Sequence, residues 1–188
     1  MNDVMVDLET MDNVMSASIV SIGAVQCDLT TGELGQEYYR VIDLNGQQQK
    51  GLTICSNTLY WWMQQKDGAR HALTVEGKIF LVEMCNTFNT WLQSMGNPGN
   101  FRLWGNGASF DNSIIRYAYK MCDIDFPIPF WNDRDMRTIL GFYPSNLQEK
   151  WRRANLRHGT HHNALADAKH QVKYCSYVLK ELGVKELY

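Results

Sequence analysis

An apolar segment at the start of the chain ends in two carboxylates, and few folds accommodate that combination. Val4-Met5-Val6-Asp7-Leu8 carries apolar residues on both faces, as a strand covered above and below does. Strand side chains alternate, so Asp7 and Glu9 share one face. Both can then face one metal ion, and burying them without a cation costs several kcal/mol.

The rest of the chain supplies the surroundings of that strand. Ile19 to Gln26 reads as a second strand, Asp28-Leu29-Thr30-Thr31-Gly32 as a turn, and Leu34 to Asp43 as a third strand. Residues 4–43 thus suggest an antiparallel meander, followed by a polar, Gln-rich loop over 44–56. Helical periodicity predicts helices over 58–66, 75–95, 110–121 and 163–182, with a short one inside 132–141. The last would bury Leu165, Ala168, Val172, Cys175, Leu179 and Leu182. Phe101-Arg102-Leu103-Trp104 reads as a strand, Gly105-Asn106-Gly107 as a tight loop, and 123–129 as a connector. Strands come first and helices then alternate with strands, which predicts an α/β fold with a mixed central β-sheet flanked by α-helices. A length of 188 residues suits one domain spanning 1–188. Chemistry in such sheets gathers at strand ends. Asp7 is expected at the end of the first strand, and Asp111 just after the Trp104 strand.

Composition closes off several classes. No apolar run reaches the roughly 18 residues of a membrane span, so no membrane partner is expected. The N-terminus lacks the basic flank and long apolar stretch of a signal peptide, which points to a cytoplasmic protein. The five cysteines form no C-x-x-C pair and are expected to be reduced, mostly buried thiols. A net charge of −2 shows no general excess for a polyanion. Lys150, Arg152, Arg153 and Arg157 nevertheless fall within eight residues, followed by His158, His161 and His162.

Two further acidic patterns complete a set. Ser109-Phe110-Asp111 follows the Gly loop, and His162 precedes Asp167 by five residues. A lone D-x-E arises by chance in roughly half of chains this long, so position matters more than pattern. Asp167 falls one turn into the last helix, among Ala164, Leu165, Ala166 and Ala168. His162 falls in the loop before it. Four carboxylates and one histidine suit two divalent cations and a general base, the equipment for hydrolysing a phosphodiester. Oxygen donors favour Mg²⁺ or Mn²⁺ over zinc.

The order D-x-E-T, F-D, H-x-x-x-x-D resembles the DEDDh branch of the 3′–5′ exonucleases. Ser18 to Val25, Trp61-Trp62, Trp104 to Asn112 and Arg134 to Thr138 resemble a narrower group within it. That group comprises small phage and prophage exonucleases of the T4 exonuclease A type and a mycobacterial exoribonuclease group. The resemblance spans nearly the whole chain. It implies a ribonuclease H-like domain that cuts single-stranded DNA or RNA from 3′ ends into nucleoside 5′-monophosphates. It further implies that Asp7, Glu9, Asp111 and Asp167 bind two Mg²⁺ or Mn²⁺ ions per active site, and that His162 is the general base. His161 is excluded because Ala166, not an aspartate, stands five residues after it. Thr10 is then expected at the terminal sugar and Leu8 or Met11 against the last bases. Trp61, Phe110 and Arg137 are further candidate substrate contacts. Asp135 is a candidate brace or an ordinary ion-pair partner at a helix start. A homodimer is a candidate assembly, because several such relatives are dimers. The competing readings are a non-catalytic nucleic-acid-binding module, a small-nucleotide phosphohydrolase on the same fold, and a proofreading subunit within a polymerase complex.

Overall fold

The N-terminal alternation builds three hydrogen-bonded strands, and two short parallel strands extend them on one side. The computed structural model describes residues 1–154 and 162–187, with side chains for all of these except 153 and 154. Strands β1 (Asp3–Thr10), β2 (Ile19–Asp28) and β3 (Glu33–Val41) run antiparallel. Strand β4 (Arg102–Gly105) pairs parallel with β1, and β5 (Asp133–Asp135) pairs parallel with β4. The sheet order is β3-β2-β1-β4-β5, so the strand bearing the carboxylates lies at its centre. Seven α-helices are seen among the described residues: α1 (Ser56–Met63), α2 (Asp67–Thr74), α3 (Leu81–Ser94), α4 (Asp111–Met121), α5 (Met136–Gly141), α6 (Ser145–Ala154) and α7 (Ala164–Glu181).

The alternation of β1 divides the core in two. Val4, Val6 and Leu8 face a cluster built with Met84, Phe88 and Leu92 of α3 and Ile114, Ile115 and Ala118 of α4. Met5 faces the other side, against Trp104, Met136 and Val172, Cys175, Val178 and Leu179 of α7. Helix α7 can lie this close to the sheet because position 23 has no side chain. A Cβ on Gly23 would fall 2.1 Å from the backbone nitrogen of Leu165 and 2.2 Å from the carbonyl carbon of Ala164. Gly23 is also the β2 residue paired with Asp7, so the first turn of α7 is seated beside that carboxylate.

Several elements depart from the sequence reading. The helix expected over 75–95 begins only at Leu81, because Gly77 takes a left-handed φ of 76° and Ile79 bridges to Ile42. Residues 67–74, unassigned from periodicity, form α2. The helix expected inside 132–141 is preceded by the three-residue β5. Helix α6 covers a stretch to which periodicity assigned no helix. Strand β1 continues three residues beyond Asp7, so Glu9 rather than Asp7 stands near its end. Leu182 lies past the end of α7 and is exposed, and Leu165 is only partly buried. All five cysteines are free. No helix among the described residues is long and apolar enough to cross a membrane.

Candidate active site

Three elements deliver the acidic side chains to one place. Asp7 and Glu9 come from the α7 side of β1. Asp111 opens α4, which starts directly after the turn following β4. Asp167 lies in the first turn of α7, which Asn163 caps by accepting a hydrogen bond from the Ala166 N–H at 3.0 Å. Glycine again permits the close approach, since a Cβ on Gly105 would lie 2.6 Å from Asn112 Oδ1 and 3.1 Å from Asp111 Cβ. The backbone N–H of Leu8 donates to Asp111 Oδ1 at 3.2 Å, tying α4 to β1. Asp135 braces the turn before Asp111 from below. Its Oδ2 accepts from the Ala108 N–H at 3.0 Å, while its Oδ1 caps α5 by accepting from the Arg137 N–H at 2.8 Å. The ion pair at a helix start is therefore replaced by a brace and a cap.

His162 adopts the left-handed backbone region at φ 63° immediately before the α7 cap. Its Nδ1 lies 3.9 Å from Glu9 Oε1. Glu9, His162 and Asp167 each place one donor atom within 4.8 Å of the others. The Trp61 ring stands edge-to-face against the imidazole, with centroids 4.8 Å apart. The neighbouring Trp62 is buried and its indole N–H donates to the Thr10 carbonyl at 2.9 Å, which fixes α1 against the end of β1.

The electrostatics are those of a site that wants positive charge. Asp7 keeps a partial opening to solvent, but crowding protein makes desolvation the largest influence on it. Asp111, Glu9 and Asp167 add repulsion, and together these raise its pKa well above the usual carboxylate range. Burial likewise pushes Asp111 up to about 7, opposed by the Leu8 N–H and by Arg137. A hard divalent cation would relieve this repulsion, and the all-carboxylate oxygen set suits Mg²⁺ or Mn²⁺. The residues present thus fit such ions.

The structure sorts the remaining candidates. Leu8 and Met11 are 5% and 3% exposed. Alternation sends the Leu8 side chain into the α3/α4 core, away from Asp7 and Glu9, and Met11 packs beside Trp62. Neither side chain offers bases a surface, which corrects that expectation; Leu8 contributes its backbone instead. Thr10 is buried and donates to the Asp12 carbonyl. Trp61 is 41% exposed, whereas Trp62 and Trp104 are core residues. Phe110 is half-buried against the α3/α4 core. Arg137 is exposed and lies over Gly107, where a Cβ would meet its guanidinium carbon at 3.2 Å. Arg157, His158, Gly159, Thr160 and His161 lie outside the described residues, as does the Arg153 side chain. One site residue was missed entirely. Gln171 donates from Nε2 to Asp7 Oδ1 at 2.6 Å. Its only sequence signal was its place four residues after Asp167, on the same helix face.

The sequence matches one family of known proteins, and the fold is similar to several solved structures. Residues 2–179 match the family described as the 3′–5′ exoribonuclease Rv2179c-like domain. No curated protein matches the sequence. Among solved structures, the nuclease domain of 3′hExo, a DEDDh family member bound to rAMP, aligns with a TM-score of 0.66 at 11% identity. That alignment covers 98% of this chain and 94% of the other. Pop2p of S. pombe, in a form bound to Mg²⁺ and Mn²⁺, aligns with a TM-score of 0.67 at 12% identity, covering 100% and 86%. Cell-death related nuclease 4 aligns with a TM-score of 0.66 at 14% identity over 97% of this chain, which spans 64% of that protein's length. At such identities the likeness shows a shared fold, the ribonuclease H-like fold of these exonucleases.

Proposed function

This chain belongs to the Rv2179c-like 3′–5′ exoribonuclease family and so to the 3′–5′ exonucleases, and on that premise we propose that it shortens single-stranded nucleic acid from the 3′ end, releasing nucleoside 5′-monophosphates. The observation that carries this reading is the convergence of Asp7, Glu9, Asp111 and Asp167 with His162, from β1, α4 and α7, at one end of β1. The family description favours RNA over DNA as the strand.

In this reading the four carboxylates would hold two Mg²⁺ or Mn²⁺ ions. Such ions supply charge stabilisation for the phosphate and a more acidic attacking water. His162 takes the proton of that water as its oxygen bonds to phosphorus and the bond to the 3′ oxygen of the preceding nucleotide breaks, that oxygen taking up a proton from solvent. Histidine suits this duty because it exchanges protons near neutral pH. Glu9, on the Nδ1 side of the ring, favours the imidazolium that forms. Trp61 holds the ring edge-on and leaves part of its own face exposed for the terminal base. Arg137, exposed beside the turn that precedes Asp111, is the proposed partner of a phosphate of the strand.

The test is incubation of the purified protein with 5′-labelled single-stranded RNA and DNA of one sequence, in Mg²⁺ and in EDTA. A metal-dependent ladder receding from the 3′ end, faster on RNA, is expected. Intact strands in both Mg²⁺ and Mn²⁺ would overturn the reading. So would more than a few per cent of wild-type cleavage in Asp7→Ala or Asp167→Ala.

A further inference from the structure

We infer that Gln171 is a positioning residue of this site: its amide fixes the Asp7 carboxylate for cation binding without neutralising it. The inference rests on the exonuclease reading above and deepens it.

Gln171 lies on α7 one turn beyond Asp167, so one face of one helix sends two side chains to the site. It is 3% exposed and touches Asp7 through a single 2.6 Å hydrogen bond. The chemistry fixes the amide's orientation for cation binding, because the ionised carboxylate that takes up a cation can only accept and the NH₂ group must then face it. Its other end, Oε1, is buried with no hydrogen-bond partner among the described residues. A residue present only to fill space would not carry that cost, since leucine has a similar volume and no polar atom to strand. The amide is retained for what its NH₂ does.

That action is to orient without discharging. An arginine or lysine at this position would hold Asp7 equally well, but would supply the positive charge itself. A neutral donor occupies one oxygen, restricts rotation of the carboxylate, and leaves its negative charge for an ion. Groups that hold metal-binding carboxylates in this way typically change metal affinity or activity by about 10–100-fold when removed.

The experiment is a Mn²⁺ titration of the whole protein by calorimetry, paired with melting in EDTA and steady-state cleavage of a single-stranded oligonucleotide. Gln171→Leu is expected to weaken Mn²⁺ binding and lower kcat, each by about 10–100-fold. KM for the strand should be unchanged, because Gln171 is buried beneath Asp7. Gln171→Lys is expected to weaken Mn²⁺ binding further while melting above wild type in EDTA, since its ammonium replaces the ion. Wild-type Mn²⁺ affinity in folded Gln171→Leu, whatever its melting temperature, would make Gln171 merely structural and overturn the inference. If Gln171→Leu does not fold, unaltered Mn²⁺ affinity in Gln171→Lys has the same force. Failure of the wild-type protein to bind Mn²⁺ would instead remove the exonuclease reading beneath it.

Discussion

Asp3 and Asp7 stand on the same face of β1, four residues apart, and the protein treats them in opposite ways. Asp3 is 3% exposed and fully answered. The Arg102 guanidinium grips it with Nε at 2.6 Å and Nη2 at 2.9 Å, and the Trp104 indole N–H donates at 2.8 Å. Asp7 receives one amide hydrogen bond and faces three other carboxylates. No lysine or arginine among the described residues pairs with it. The chain builds a forked ion pair at one end of the strand and leaves repulsion at the other, the end at which we propose that cations bind. The first end holds β1 and β4 together; the second is where chemistry is proposed.

Exchanging the two treatments gives the largest effect. Asp7→Asn should abolish cleavage in the labelled-strand assay, yet melt at a higher temperature than wild type in EDTA at pH 8, because it removes a crowded negative charge. Lower stability without metal would mean that the repulsion at Asp7 is already compensated within the protein. The reverse result is expected at the other end. Asp3→Asn leaves the Arg102 guanidinium, 18% exposed, without its counter-ion. Chemical denaturation should show a loss of about 3 kcal/mol, the lower end for breaking a buried pair. Cleavage per folded molecule should stay at the wild-type level. A matching collapse of activity would show that the two ends are not independent.

The third prediction, smaller in size, concerns pH. Asp7 and Asp111 have folded-state values above their ordinary ones, so the folded protein binds more protons than the unfolded chain in the range between. Stability without metal should therefore fall as pH rises from about 4 to about 7 and beyond. Melting curves in EDTA across that range should show the decline, and Mg²⁺ should reverse it at pH 7.5 but not at pH 4.5. A flat profile in EDTA would remove the contrast with Asp3.

Much of the strand order near the site could be read from local pattern. Asp7 and Glu9 were marked by apolar neighbours, Asp111 by the Gly loop, and His162 and Asp167 by their mutual spacing. Each signal is contained within a few residues. What could not be read depends on partners distant in the chain. Gln171 looks like any polar residue on a helix until α7 is laid against β1. Asp135 looks like an ion-pair partner until β5 brings it under Ala108. Strand β5 has three residues, too few to show a period of two, and α2 is polar with only Ala69 and Ala72 buried. Leu8 was misjudged for a local reason: the alternation that places Asp7 and Glu9 together necessarily sends Leu8 the other way.

Gly23 bears on any attempt to move this site to another scaffold. Copying the four acids and the histidine would be insufficient, because the gap between sheet and helix is gauged by a hydrogen atom where every other amino acid has carbon. A host strand with alanine there would hold the helix off and spread Asp7 and Asp167 apart. The most consequential residue for transplantation is thus one that has no side chain to transplant.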